Sequence, residues 1–225
     1  MKISVVIPAY NEEKFIGDCL KSLSEQEIPP DEIIVVDNNC TDKTAEIARS
    51  AGAKVVKETK QGMSHARNAG FDAAQYEIIA RCDSDSRPPK DWIKKIKEDF
   101  MSGEIDGLTG PFEYYDMPIT SNNIVVSQMY LASLKILLRG NETLFGANMA
   151  ITKKSWDTVR NEVCLDDKKV HEDIDLSIHM IKKGYKIKKD PELLMLTSAR
   201  RIKNKAHSFF LEYPFRMAKT LAAHI

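Results

Sequence analysis

The 225-residue chain carries 33 basic and 33 acidic side chains, for a formal net charge of +0. That balance argues against bulk nucleic-acid binding, which needs a clear positive excess. With 43% hydrophobic and 29% charged residues, the composition is that of a globular protein long enough for one sizeable α/β domain. No apolar run is long enough to span a bilayer, and Met1 leads directly into an apolar stretch without the basic-then-apolar layout of a leader peptide. Cys19, Cys40, Cys82 and Cys164 are scattered without a C-x-x-C pair, which argues against a zinc site and fits a reducing cytoplasm.

In chain order, Ile3–Pro8 reads as a buried strand ended by its proline. Phe15, Ile16, Cys19, Leu20 and Leu23 then recur at helical spacing. Glu32–Asp37 is a second strand, apolar until its last residue, and Thr41–Ala51 a helix stopped by Gly52. Ala53–Lys57 reads as strand, Gly62–Gln75 as helix, and Ile78-Ile79 as the centre of a fourth strand that runs into Asp83-Ser84-Asp85. Pro88-Pro89 opens a helix with Trp92, Ile93, Ile96 and Phe100 on one face. Strands this continuously apolar are buried on both faces, so the fold class is α/β: a Rossmann-like, mainly parallel central sheet with helices on both sides. Beyond it, Gly107–Tyr115 reads as one strand, Asn122–Leu138 as helix, and Thr143–Thr152 as one or two short strands. A helix runs from about His171 to Gly184, followed by strands at Tyr185–Lys189 and Leu193–Thr197. From Asn204 onward, Ala206, Phe209, Phe210, Tyr213, Met217 and Leu221 mark one helical face that Pro214 must kink or split. The expected organisation is one domain over 1–203, in two halves at 1–100 and 101–203, and a C-terminal helical appendage at 204–225.

Ligands of such sheets sit beyond the carboxyl ends of the strands. The first, second and fourth strands end in Pro8-Ala9-Tyr10-Asn11, Asp37-Asn38-Asn39 and Asp83-Ser84-Asp85, so three polar tips are expected to converge on one crevice. Two acids one residue apart at a strand end point the same way and repel unless a cation joins them. An all-oxygen pair suits Mg²⁺ or Mn²⁺, ions that fill their shell with water and phosphate oxygens. The pair hints at a diphosphate ligand, although an isolated D-x-D also reads as ordinary turn residues, and neither G-x-G-x-x-G nor a P-loop is present. Tyr10 is placed to stack on a base and Asp37 or Asn38 to bond its edge, while Asn38-Asn39 also reads as a plain turn. Arg67, on a helix entering the crevice, is expected to pair with Asp37 or with phosphate oxygens. His171-Glu172-Asp173-Ile174-Asp175 is a second acidic cluster, readable as dipole-stabilised acids at a helix start or as the source of a general base. His171 and His179 are more than two helical turns apart and lack H-E-x-x-H, so no histidine metal site is expected. The basic runs at 182–189 and 200–203 read as solvated faces, with a diphosphate or an anionic membrane surface as the other reading.

Together these segments resemble the family 2 glycosyltransferases, inverting enzymes with the A-type nucleotide-sugar-binding fold. The resemblance rests on Val5–Glu13, Val35–Thr44, Ala66-Arg67-Asn68-Ala69-Gly70, Asp83-Ser84-Asp85, Gly146-Ala147-Asn148-Met149-Ala150 and Glu172-Asp173-Ile174-Asp175-Leu176, in the family's order, and runs from about residue 3 to 198. It implies that Pro8, Tyr10 and Glu12 wall the base and ribose, and that Asp37 and Asn38 stand at the base-reading pair. Asn38 replaces a frequent aspartate, which leaves UDP- and GDP-sugars both open. It further implies a donor-binding role for Arg67, Asp83, Ser84, Gly146 and Asn148, and metal ligation by Asp85 with Asp83. Asp173 becomes the catalytic base with Glu172 beside it toward the acceptor, and His179 stands where an arginine is frequent. The implied reaction is a metal-dependent single displacement onto a saccharide, lipid-linked or protein acceptor. A sugar-phosphate nucleotidyltransferase and a non-catalytic nucleotide-sugar or glycan-binding module are the alternatives. The aromatic and basic C-terminal segment suits packing, self-association or contact with the cytoplasmic membrane face.

Overall fold

A computed structural model of the chain describes residues 1–117, 123–204 and 213–224. The first half alternates strand and helix: β1 (Ile3–Ala9), α1 (Ile16–Ser24), β2 (Glu32–Asp37), α2 (Thr44–Ser50), β3 (Lys54–Lys57), α3 (Met63–Ala73), β4 (Ile78–Arg81) and α4 (Trp92–Met101). The second half adds β5 (Gly107–Thr109), β6 (Phe112–Tyr114), α5 (Asn123–Leu137), β7 (Met149–Thr152), α6 (Lys153–Val159), α7 (Glu172–Lys182), β8 (Ile187–Lys189), β9 (Met195–Thr197), α8 (Arg200–Asn204) and α9 (Tyr213–His224).

Among the described residues, seven strands form the central sheet in the order β3-β2-β1-β4-β7-β5-β8, and β6 and β9 pair in a small second sheet. β1 lies parallel to β2 and β4, β2 to β3, and β5 to β8, while β7 runs antiparallel between β4 and β5. Each strand feeds both faces because its side chains alternate. On one face Ile3, Val5 and Ile7 pack with Ile16, Leu20 and Leu23 of α1 and Ile93, Ile96 and Phe100 of α4. On the other, Val6, Ile34, Val36 and Ile79 pack with Ala66 and Phe71 of α3, Trp156 of α6, and Leu176 and Met180 of α7. The sheet is thus mainly parallel and covered on both sides, as the unbroken apolar strands predict.

Two features differ from the sequence expectation, and a third bears on it. Gly107–Tyr115 is two strands in two sheets, since Gly110-Pro111 interrupts the run and Pro111 has no N–H to continue a ladder. The helix α6 follows β7 without a connecting loop, its start capped by Thr152 Oγ1, which accepts from Ser155 N at 3.2 Å. Pro214 is the second residue of α9, a position in the first helical turn where a missing N–H is tolerated; the residues before Tyr213 that would show a split lie outside the described residues. Ala206, Phe209 and Phe210 lie outside the described residues. Among the described residues no helix is long and apolar enough to cross a membrane.

The approach of α3 to the sheet is set by Gly70. A Cβ there would lie 2.3 Å from Val6 Cγ1 and 2.9 Å from Val36 Cγ2, so helix and strands meet only because that side chain is a hydrogen. Gly70→Ala is expected to destabilise the chain by about 2 kcal/mol through overpacking, read as a lowered midpoint in urea unfolding. An unchanged midpoint would mean the α3–sheet contact is looser than described.

Candidate active site

The carboxyl ends of β1, β2 and β4 stand side by side, as β1 pairs with both neighbours. Their following loops therefore share one mouth. The loops after β1 and β2 are laced together. Thr41 N donates to Asn11 Oδ1 (2.8 Å), Glu12 N to Thr44 Oγ1 (2.7 Å), Glu13 N to Asp42 Oδ2 (3.1 Å) and Lys43 N to Glu13 Oε2 (3.2 Å). Asn11 and Asn39 hold left-handed φ values of 55° and 65°, which asparagine tolerates better than most residues. Pro8 and Ala9 are buried in the strand, and the Tyr10 side chain projects with 52% of its surface exposed.

Asp37 accepts from Cys40 N at 2.8 Å and so shapes the second loop. Asn38 is committed inside the protein. Its amide nitrogen donates to Glu58 O (3.1 Å) and Lys60 O (2.7 Å), and its oxygen accepts from Gly62 N (2.9 Å). It holds the segment leading into α3, so the plain-turn reading describes its side chain better than base recognition does.

Asp83 and Asp85 follow β4, and Glu12 reaches them from the first loop. Arg200 of α8 joins two of the three acids: its Nε donates to Asp85 Oδ2 at 2.6 Å and its Nη2 to Glu12 Oε1 at 2.5 Å, with the guanidinium 4.5 Å from the Phe15 ring centroid. Burial pushes the Glu12 carboxyl above its ordinary value; Arg200 opposes that, and the charges of Asp85 and Asp83 add to it. Burial lowers the Arg200 guanidinium, but Glu12 and Asp85 outweigh this and raise it. The start of α8 is fixed by Asp116, which accepts from Ala199 N (2.7 Å) and Ser198 Oγ (2.9 Å). Ser84 is buried between the two aspartates.

The helix α7 is joined to this acidic tip through Arg81, which contacts both Asp83 and Glu172. Asp173 Oδ2 accepts from Gly146 N at 3.0 Å, and Oδ1 lies 2.9 Å from His171 Nδ1. Burial alone would raise the Asp173 carboxyl; the hydrogen bond and field of the His171 ring, the Gly146 N–H and nearby Arg81 outweigh it and hold the group well below the usual carboxylate range. It is therefore ionised throughout the neutral range.

Glu172 is buried between two arginines. Arg67 Nη1 donates to Glu172 Oε2 (2.9 Å) and to its backbone oxygen (2.6 Å), and Arg81 Nη1 contacts Glu172 Oε1. Arg67 and Arg81 are 0% and 2% exposed. Arg81 also lies 3.4 Å from Asp83 Oδ1, so an unbroken ionic path runs from α3 through α7 and β4 to the acidic strand tip. Burial pulls both guanidinia down, but the carboxylates around Arg81 raise it overall, while Arg67 stays lowered. Arg67 is thus not presented to the crevice and pairs with Glu172, not Asp37; Glu172 in turn faces the arginines, not an acceptor. Asn148 is likewise internal: its amide donates to Pro111 O (3.0 Å) and Leu193 O (2.6 Å) and its oxygen accepts from Trp92 Nε1 (2.9 Å). Gly146 belongs to the cleft through its N–H, and a Cβ on it would sit 3.0 Å from Arg81 Nη2.

Arg81 and Asp167 were not assigned a role in the sequence. Asp167 accepts from Met63 N (2.6 Å) and Ser64 N (3.0 Å) at the start of α3. A charge at the end of a buried strand was the available signal for Arg81; nothing local marks Asp167.

This sheet and acidic cleft define an A-type glycosyltransferase architecture. The solved structure of the mannosyltransferase PcManGT from Pyrobaculum calidifontis, in complex with GDP-Man and Mn²⁺, superposes with a TM-score of 0.77 at 20% identity, covering 99% of this chain and 63% of that one. The chain belongs to glycosyl transferase family 2, whose model matches residues 4–158. Glycosyltransferase AglE of Haloferax volcanii is 32% identical over 120 residues, 50% of this chain and 40% of that protein. The probable glycosyltransferase YdaM of Bacillus subtilis is 28% identical over 206 residues, 83% of this chain and 48% of YdaM. The chain thus spans less than half the length of these curated relatives.

Breaking the ionic path is expected to cost more than removing one surface charge. Glu172→Gln leaves two buried guanidinia without their shared carboxylate and should destabilise the fold by about 3 kcal/mol. A denaturation midpoint within error of the unsubstituted protein's would sink the claim that Glu172 ties the site together.

Proposed function

We propose that the chain transfers a sugar from a nucleoside-diphosphate donor to an acceptor hydroxyl by a single, inverting displacement. The reading rests on one observation above the rest: of the three acids in the first turn of α7, only Asp173 is set up as a base. Glu172 is consumed by two guanidinia, and Asp175 is 1% exposed, accepting from Cys164 N at 2.8 Å and contacting His224 at 2.8 Å. Asp173 is ionised and steered by an imidazole and a backbone N–H. One available base suits one displacement at the anomeric carbon, with the acceptor proton passing to Asp173 Oδ1 or Oδ2 as the hydroxyl attacks. A double displacement would call for a second carboxylate free to act as nucleophile.

The donor set around Asp83 and Asp85 fits a hard divalent cation. Glu12, Asp83 and Asp85 offer only oxygen, and Glu12 Oε2 is buried with no hydrogen-bond partner among the described residues. Mg²⁺ or Mn²⁺ suits such a set, with Asp85 and Asp83 as its holders. Bound there, the ion would neutralise charge developing on the departing diphosphate. Arg200 supplies a second positive charge beside the same acids and is placed to take a share of the phosphate oxygens. Tyr10, exposed at the mouth, offers a ring for base stacking, and the backbone of the Asp37–Cys40 turn offers edges for the base. The nucleoside, the sugar and the acceptor class follow from donor screening, with UDP- and GDP-sugars as the first candidates.

Asp173→Asn should leave donor binding within a few-fold and cut turnover by at least about 10²-fold, the usual scale for losing a general base, measured as nucleoside diphosphate release. Equal turnover would remove Asp173 from the chemistry, and a product retaining the donor's anomeric configuration would remove the single displacement. Asp85→Ala should abolish the Mn²⁺-dependent part of donor affinity in calorimetry, and an affinity insensitive to both the substitution and a chelator would reject the cation site.

A further inference from the structure

Away from the cleft, Asp175 and His179 lie one turn apart on α7, and His224 of α9 is brought against both. His224 Nε2 is 2.8 Å and His179 Nε2 3.7 Å from Asp175 Oδ1. The two imidazole rings meet edge to face with centroids 4.8 Å apart, and one donor atom from each of the three residues falls within 4.8 Å of the others. A tetrahedral Zn²⁺ with bonds of 2.0–2.2 Å needs its ligand atoms about 3.3 Å apart, so small side-chain rotations bring all three into range. The residues are largely shielded, with side-chain exposures of 1%, 14% and 11% for Asp175, His179 and His224.

We infer that Asp175, His179 and His224 form a binding site for a transition-metal dication of the zinc class, separate from the acidic cleft, that clamps α9 onto the helix bearing Asp173. The chemistry of the donors separates the two sites. Two imidazoles and one carboxylate select zinc-like ions, whereas the all-oxygen set at Asp83 and Asp85 selects Mg²⁺ or Mn²⁺. The inference goes beyond the transfer reaction and does not depend on it.

The surroundings supply what a histidine ligand set needs. His179 presents Nε2 to Asp175 and its other nitrogen, Nδ1, faces Glu162 Oε2 at 3.5 Å. A carboxylate behind a ligating imidazole orients the ring and strengthens it as a donor. Asp175 is oriented independently by Cys164 N on its second oxygen. Among the described residues, two cations border the cluster: Lys183 Nζ is engaged by Glu162 Oε1 at 2.5 Å, and Lys182 Nζ lies 3.2 Å from His224 O and 3.3 Å from His224 Nδ1. His224 Nε2 lies 2.8 Å from Asp175 Oδ1. To ligate through Nε2, the neutral ring would carry its proton on Nδ1, leaving the Nε2 lone pair for the ion, and Lys182 Nζ would turn from Nδ1 to the His224 carbonyl that it already contacts. Three protein ligands leave a fourth position for water.

The rest of the α7–α9 contact is already in register for this. Thr220 Oγ1 accepts from His171 N at 2.7 Å, and Met217 and Leu221 pack beside Ile174 and Ile178. Thr220 and His224 are four residues apart on one face of α9, so the ion would fix the far end of a helix whose near part is held by packing.

The test uses the full chain, stripped of metal and titrated with Zn²⁺ in excess Mg²⁺, and in parallel an Asp85→Ala variant that lacks the cleft's own ligand. The expected result is one Zn²⁺ per chain in both, with a raised Tm. Long-range ¹⁵N NMR should then show two of the chain's five histidines shifting on zinc addition, identified as His179 and His224. His179→Gln and His224→Gln, each checked for folding by circular dichroism, should weaken zinc binding at least tenfold. Absence of a zinc equivalent in Asp85→Ala, shifts confined to other histidines, or undiminished zinc binding in both folded histidine variants would overturn the proposal. The NMR readout on the unsubstituted protein decides the matter even where a variant does not fold.

Discussion

Glu172 is the hinge of the architecture in an energetic sense. A carboxylate removed from water is costly on its own, and so is a buried guanidinium. Placing Glu172 between Arg67 and Arg81 makes each the reason the others can be buried. Because the three residues sit on α7, α3 and β4, neutrality is achieved only when those elements meet in one arrangement. The next residue along α7 is Asp173, and the next acid along the path is Asp83. The two ends of the cleft are thereby set at a fixed separation by the same charges that satisfy the interior. Their stabilising worth is modest beside an apolar alternative; their effect is on uniqueness of arrangement, since any slip of α7 would strand a charge.

The antiparallel strand β7 does the complementary work in the backbone. Its register places Met149 opposite Arg81, so the turn that precedes it, Gly146-Ala147-Asn148, lies over the arginine. Gly146 leaves room for the guanidinium and aims its N–H at Asp173, while Asn148 braces the segments before β6 and β9 and the first residue of α4. One short turn therefore connects the sheet, the small second sheet and the carboxylate of α7.

Much of this was readable from the residues. Strands such as Val5-Val6-Ile7 and Ile33-Ile34-Val35-Val36 are apolar at successive positions because both faces are covered, and that signal is local. The convergence of Pro8–Asn11, Asp37–Asn39 and Asp83–Asp85 follows from parallel pairing, which the same strands announce. What stayed hidden were pairings across long stretches of chain. Arg67 and Arg81 meet Glu172 from 105 and 91 residues away, and a single sequence gives no way to choose that partner over Asp37 or a phosphate. Asn38 and Asn148 look like ligand-binding amides for the same reason: the groups they bond, backbone carbonyls together with the Gly62 N–H and the Trp92 indole N–H, come from distant positions. The break at Gly110-Pro111 was legible in its residues, since Pro111 has no N–H to continue a ladder.

The interlocked loops after β1 and β2 carry a thermodynamic implication. Asn11 and Asn39 already occupy their less common backbone wells, and Glu13, Asp42, Asn11 and Thr44 already bridge the two segments. The ordering entropy of that wall is met when the chain folds, not when a guest arrives. A guest meeting such a wall must fit a preformed outline, and discrimination there comes from steric exclusion by a stiff rim more than from closure around the guest.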